Sequence, residues 1–124
     1  MADEERWTID TVPQEFWTRI ESAGGDKQRF KEGIGQLSQE QLREMVAQFD
    51  GLTRALITSG FERFRPELRE EATERLEELG NWVVTQGRAF YEDVLAHPEK
   101  FPVRSEIRRP IFAGAVIEEY TRRF

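Results

Sequence analysis

The chain has no cysteine and one histidine, His97. Without thiols there is no disulfide, no thiolate nucleophile and no cysteine-held metal. A Ser-His-Asp triad would have to run through His97, which directly precedes Pro98 in an expected loop. The serines at 22, 38, 59 and 105 all fall at expected helix ends or caps, where a hydroxyl serves the backbone. No apolar run approaches the roughly 20 residues that span a bilayer. The opening "MADEER" is acidic and lacks the apolar core of a secretory signal. No membrane partner is expected, and the expected compartment is the cytoplasm. The glycines of "GGDKQRFKEGIG" have neither Walker spacing nor a preceding strand, so no phosphate loop is read there. Carboxylates are plentiful, but no Glu-x-x-His pair of a bundle di-metal centre occurs. No metal and no cofactor are expected.

What is present suits one domain with one core: 124 residues, with the apolar ones gathered in periodic runs. Nine Phe and three Trp let a small core bury much area per residue. The net charge of −6 opposes non-specific attraction to nucleic acid. A local basic group remains at Lys100, Arg104, Arg108, Arg109, Arg122 and Arg123. Glu99, Glu106, Glu118 and Glu119 interleave with it, so it reads as a solvated face. Arginine outnumbers lysine, which hints at a GC-rich bacterial genome.

The periodicity predicts an all-α, compact single-domain bundle of about five or six helices with short turns. Residues 1–10 read as a mobile tail that Trp7 and Ile9 pin to the body, and 11–124 as the helical domain. Thr11 with Gln14 has capping-box spacing, with Pro13 in the first turn, and Phe16, Trp17 and Ile20 share a face. Gly24 and Gly25 end that helix. Asp26 caps a second, through Phe30 and Ile34. Ser38 with Gln41 repeats the box, and Leu37 can staple to Leu42. Leu42, Met45, Val46, Phe49, Leu52, Leu56 and Ile57 then recur at helical steps until Ser59 and Gly60. Pro66 opens the next predicted helix. Its outer face is Glu67, Glu70, Glu71, Glu74, Glu77 and Glu78; its inner stripe is Leu68, Ala72, Leu76 and Leu79. The last helix is predicted from Pro110 to Arg122, with Ile111, Phe112, Ala115, Val116 and Tyr120 inward and Gly114 at a close crossing.

The segment "NWVVTQGRAFYEDVLAHPEKF" is the densest in rings. Trp82, Val83 and Gln86 continue a helix, Gly87 sits where a left-handed glycine ends one, and Phe90, Tyr91, Val94 and Leu95 start another. The leading reading is a structural corner. Arg88 could instead clamp an anion beside the rings, or pair with Glu92 one turn on. The candidate ligand- or partner-binding residues are therefore Trp82, Gln86, Arg88, Tyr91 and Glu92.

The same segment resembles a bacterial family catalogued as domain of unknown function 4240. Trp82, Gln86, Gly87, Arg88, Tyr91, Glu92, Leu95 and Pro98 match its W-x-x-x-Q-G-R-x-x-[FY]-E-x-x-L-x-x-P pattern. "EFWTRI", the Leu37–Phe49 helix with "QFDGL", and "AVIEEYTRR" add weaker likeness. The family's Trp- and Gly-rich stretch with a Ser-Asp-Asp element is replaced here by "ITSGFERFRPELREEATERLEEL". The resemblance implies a helical bacterial cytoplasmic protein and brings no assigned activity.

The expected function is that of a small binding or regulatory protein that acts on another protein, rather than an enzyme. The alternative is an enzyme or accessory protein holding a small, anionic ligand near Trp82, Arg88 and Tyr91. Nucleic acid is not the expected partner. Homodimerisation is expected only where the aromatic surplus leaves an apolar patch exposed.

Overall fold

A computed structural model describes residues 7–58, 65–107 and 111–124, apart from the side chain of Arg104. The described residues form six α-helices and no strand: α1 (Gln14–Ser22), α2 (Lys27–Ile34), α3 (Gln39–Ile57), α4 (Thr73–Thr85), α5 (Arg88–Ala96) and α6 (Ala113–Arg123). Single 3-10 turns lie at Pro66–Leu68, Pro98–Lys100 and Arg104–Glu106. The all-α architecture expected from the periodicity is the one found. Ser59, Gly60, Arg108, Arg109 and Pro110, on which some expectations fall, lie outside the described residues, as do 1–6.

Local chemistry sets two of the helix starts. Asp26 Oδ1 accepts from the backbone N–H groups of Gln28 (2.9 Å) and Arg29 (3.2 Å), which otherwise lack helical partners. The capping box of α3 closes both ways: Gln41 N–H donates to Ser38 Oγ (3.1 Å), and Ser38 N–H to Gln41 Oε1 (2.9 Å). Leu37 and Leu42, the staple pair, are both buried. Gly24 and Gly25, both at positive φ, turn the chain out of α1. The expected cap of α1 is not formed. Thr11 Oγ1 accepts instead from Thr8 N–H (2.8 Å), and Pro13 takes the N-cap position without a side-chain bond. The hydroxyl finds a nearer orphan donor in its own preceding turn.

The helix expected from Pro66 is divided. One 3-10 turn buries Leu68, Ala72 is extended (ψ 151°) and exposed, and α4 starts at Thr73. A continuous helix would align Glu67 with Glu71 and stack like charges. Across the break Glu67 lies 3.8 Å from Arg65, and Glu71 lies 3.9 Å from Arg75. Leu79 and Val83 are fully buried, while Leu76 is half-buried.

α3 is the central helix, packing on α4 and α6. α6 also packs on α2, α2 on α1, and α4 on α5. The core includes Trp7, Phe16, Trp17, Ile20, Leu42, Phe49, Leu56, Val83, Val94, Phe112 and Val116, with Val46 and Phe90 half-buried at its rim. Rings occupy the centre. Phe30 stacks on Phe112 (centroids 4.4 Å), and Phe16 meets both Trp17 (5.2 Å) and Phe49 (5.1 Å) edge-on. Gly114 is exposed with open space where a Cβ would stand, so the close crossing expected there is absent. It lies at Gly80, against Thr53 of α3. No helix among the described residues is long and apolar enough to cross a membrane.

Candidate functional site

The α4–α5 corner forms as the glycine spacing predicts. Gly87 has φ +107°, a conformation that L side chains rarely adopt. As the N-cap of α5 it has no side chain to satisfy the helix start. Glu21 of α1 supplies one from a distance: its Oε2 accepts from the backbone N–H of Arg88 (3.0 Å). A carboxylate there also faces the positive end of the α5 dipole.

The five candidate residues are held mainly by the fold. Arg88 Nη1 donates to Gln14 Oε1 (3.1 Å), and its Nε lies 3.5 Å from Glu92 Oε2. The guanidinium thus ties α5 to the start of α1. Gln86 Nε2 donates to the Trp82 carbonyl (3.2 Å). Trp82 meets Phe90 edge-on (5.8 Å), and its indole N–H is buried without a partner, as is that of Trp17. Tyr91 is fully buried, and its hydroxyl donates to the Leu52 carbonyl of α3 (2.7 Å). Burial pushes its phenol well above the ordinary range. Glu92 is exposed. Tyr91 thus faces the core while Arg88 and Glu92 lie towards solvent, so the five side chains do not line one cavity.

A different surface stands out on α6. Ile117, Tyr120 and Phe124 follow at i, i+3 and i+7 and share one stripe. Ile117 is 52% and Phe124 55% exposed, against a core whose large apolar residues are buried. Tyr120 is half-buried beside them, its ring 5.8 Å from that of Phe124. Its hydroxyl oxygen accepts from Arg43 Nε (3.3 Å) and Gln39 Nε2 (3.1 Å) at the start of α3. Those two donors, Arg43 first, hold the phenol below its ordinary range.

Charges flank this stripe. Glu118 lies 3.1 Å from Lys31 and 3.8 Å from Lys27 of α2, and the hydrogen bond from Lys31 leads in lowering its pKa. Glu119 is buried and takes Arg122 (2.6 Å) and Arg123 (3.5 Å). The hydrogen bond from Arg122 leads in holding its carboxyl below the usual value. Tyr120, expected inward, stands at the edge of the core instead, between the exposed Ile117 and the donors Gln39 and Arg43. One signal was there: Ile117 falls off the stripe of Phe112, Ala115 and Val116, so a large apolar residue had no core to enter.

An open cleft of about 350 Å³ runs between α3 and α4, lined by Asp50, Thr53, Arg54, Thr73, Glu77 and Asn81. Thr53 Oγ1 donates to Asn81 Oδ1 across it (2.7 Å). Its polar groups could hold a small polar ligand, but they bring no nucleophile–base pair together. His97 is exposed, with Nδ1 3.8 Å from Glu99. No group of three or more acidic or histidine side chains among the described residues is placed to hold a metal. Of the basic group, Lys100 pairs with Asp93 (2.7 Å), and Arg122 and Arg123 pair with the buried Glu119.

No family model, no curated protein and no solved structure matches the chain.

Proposed function

We propose that the chain is a helical protein-binding module that works through contacts, with the outward side of α6 and the start of α3 as its contact face. The observation that carries this is the pair Ile117 and Phe124, each more than half exposed on one helix face next to a tethered tyrosine and an arginine. Aromatic and arginine side chains beside apolar ones are the usual anchors of protein interfaces. Isolated exposed apolar residues are ordinary, but a row along a helix offers a partner a continuous strip. The absence of cysteine suits a reducing compartment, and the bacterial cytoplasm is the proposed setting.

The test is a photo-crosslinking residue placed at Ile117 or, as control, at the exposed Ala89 of α5, in cells that carry the protein natively. The reading expects a discrete adduct from position 117 that position 89 does not give. Equal labelling from both positions, or none from 117, would overturn it.

A second reading is favoured by the α3–α4 cleft, whose volume falls in the range of small-ligand sites. A thermal-shift screen of polar metabolites against wild type and Glu77→Gln separates it from the first. A hit that the substitution abolishes supports it.

A further inference from the structure

The chemistry around Tyr120 specifies what the partner must present; this step rests on the binding reading above. We infer that the α6 face takes an acidic amphipathic helix of another protein, with its apolar side chains on Ile117 and Phe124 and a carboxylate on the Arg43–Tyr120 pair.

The hydrogen bonds carry the argument. A phenol oxygen accepts two hydrogen bonds and donates one. Tyr120 already accepts two, from Arg43 and Gln39. What remains is its proton, which seeks an acceptor. Arg43 spends its Nε on Tyr120 and forms no ion pair with a described carboxylate, Glu40 adding only a longer-range charge. Its terminal amino groups therefore remain as donors in their fixed fork. Two sets of unspent donors, one cationic, stand side by side. The complementary group is acceptor-only and anionic, and a carboxylate meets both conditions.

The apolar residues set the shape. Ile117 of α6 and Phe124 at its C-cap are seven residues apart, or ~10.5 Å along the axis. A partner helix laid along α6 meets them with side chains two turns apart, the spacing of anchors in helix-in-groove recognition. Lys27 and Lys31 of α2 pair with Glu118 of α6, so their charges are met within the fold. The protein is acidic overall, yet the cation beside the stripe, Arg43, forms no ion pair with a described carboxylate, which favours an acidic partner at this place. A second copy fits poorly. Its own α6 carboxylates, Glu118 and Glu119, are already held by Lys27, Lys31, Arg122 and Arg123, so α6 of a second copy brings no spare carboxylate to Arg43.

The experiment is a phage selection of short helical peptides on the immobilised protein, followed by affinities measured by fluorescence anisotropy with synthetic labelled peptides. The enriched peptides should carry Leu, Ile or Phe along one stripe with Glu or Asp beside it. Ile117→Asp and Arg43→Glu should each weaken them by roughly tenfold or more, and Arg88→Ala should not. Ile117 is exposed, so its substitution leaves the core intact, which circular dichroism verifies. Tyr120→Phe keeps the ring and removes the donor. It should weaken a Glu-bearing peptide and leave the matching Leu peptide, which has no side-chain acceptor, unchanged.

Enrichment of basic or uncharged peptides on this face would overturn the acidic chemistry while the binding reading stands. Peptides insensitive to every α6 and α3 substitution would overturn both. Self-association in sedimentation velocity that Ile117→Asp abolishes would assign the face to a second copy and overturn this inference alone.

Discussion

A Cβ atom at position 80 would lie 2.6 Å from Cγ2 of Thr53, so α4 rests on α3 at a point where only glycine fits. Thr53 cannot readily turn aside. It is buried, β-branched, and its hydroxyl is bound to Asn81. Helix propensity alone would favour alanine inside α4 by about 1 kcal/mol. Overpacking a buried contact costs about 1–3 kcal/mol. Gly80→Ala is therefore expected to destabilise the protein by a net 1 kcal/mol or so. Thr53→Ala in the same chain should recover most of the steric part. A denaturant-unfolding double-mutant cycle measures the coupling, and additive effects would show that the contact is not tight.

The corner at Gly87 supports a second pair of variants. Gly87→Ala forces an L side chain to φ +107° and brings its Cβ to 3.3 Å from Glu21. A loss of about 1–3 kcal/mol is expected. Glu21→Ala removes the remote cap of α5 and should cost about 1 kcal/mol, with Glu21→Gln recovering part of it through its amide oxygen. Hydrogen exchange should show the loosening first at the start of α5.

Arg88→Ala should have little effect by comparison. Its partners Gln14 and Glu92 are at the surface, and exposed pairs contribute about 1 kcal/mol at most. A loss of several kcal/mol in chemical unfolding would mean that Arg88 does more than join α5 to α1.

The chain has two tyrosines, and their environments push them apart. Tyr120, held by Arg43 and Gln39, should ionise below the ordinary 10.0, and Tyr91, desolvated, well above it. For Tyr120 the depressed value stabilises the fold above pH 10.0 and the contribution disappears as pH falls through the folded value. For Tyr91 the raised value works the other way: stability is complete below 10.0 and erodes as pH rises. Alkaline titration followed in the ultraviolet should resolve one early phenol, shifted upward in Arg43→Ala, and one that ionises only as the protein unfolds. A single shared transition would contradict this assignment.

Acid should act through α6. Glu119 is buried against Arg122 and Arg123 and sits below its ordinary 4.5. Its stabilising contribution is complete above that value and is lost as pH falls through the lower folded value. Glu119→Gln should therefore be less stable than wild type at neutral pH, with the gap closing on acidification. A gap independent of pH in thermal unfolding would count against the ion pairs.

The helices were legible because their signals are local. Ser38 with Gln41, Asp26 before Phe30, and Gly87 after Gln86 each act within one turn, so contiguous residues determine them. Pro66 misled because a proline that can open a helix can equally open a single 3-10 turn. The choice depended on Leu68 reaching the core. Thr11 misled because two partners competed for one hydroxyl.

The amino-acid order by itself determined an all-helical chain, most of its buried faces, the α4–α5 corner, and the absence of thiols. Only the tertiary structure decided which distant residues meet. Glu21 caps a helix 67 residues away, Tyr91 donates to Leu52, and Tyr120 accepts from Gln39, 81 residues before it. Periodicity says which face of a helix is apolar, but not what that face packs on. For α6 the helix buries one side on α2 and α3 and leaves Ile117 and Phe124 outside. The corner's rings fill the angle between helices, whereas the α6 stripe has no helix over it among the described residues.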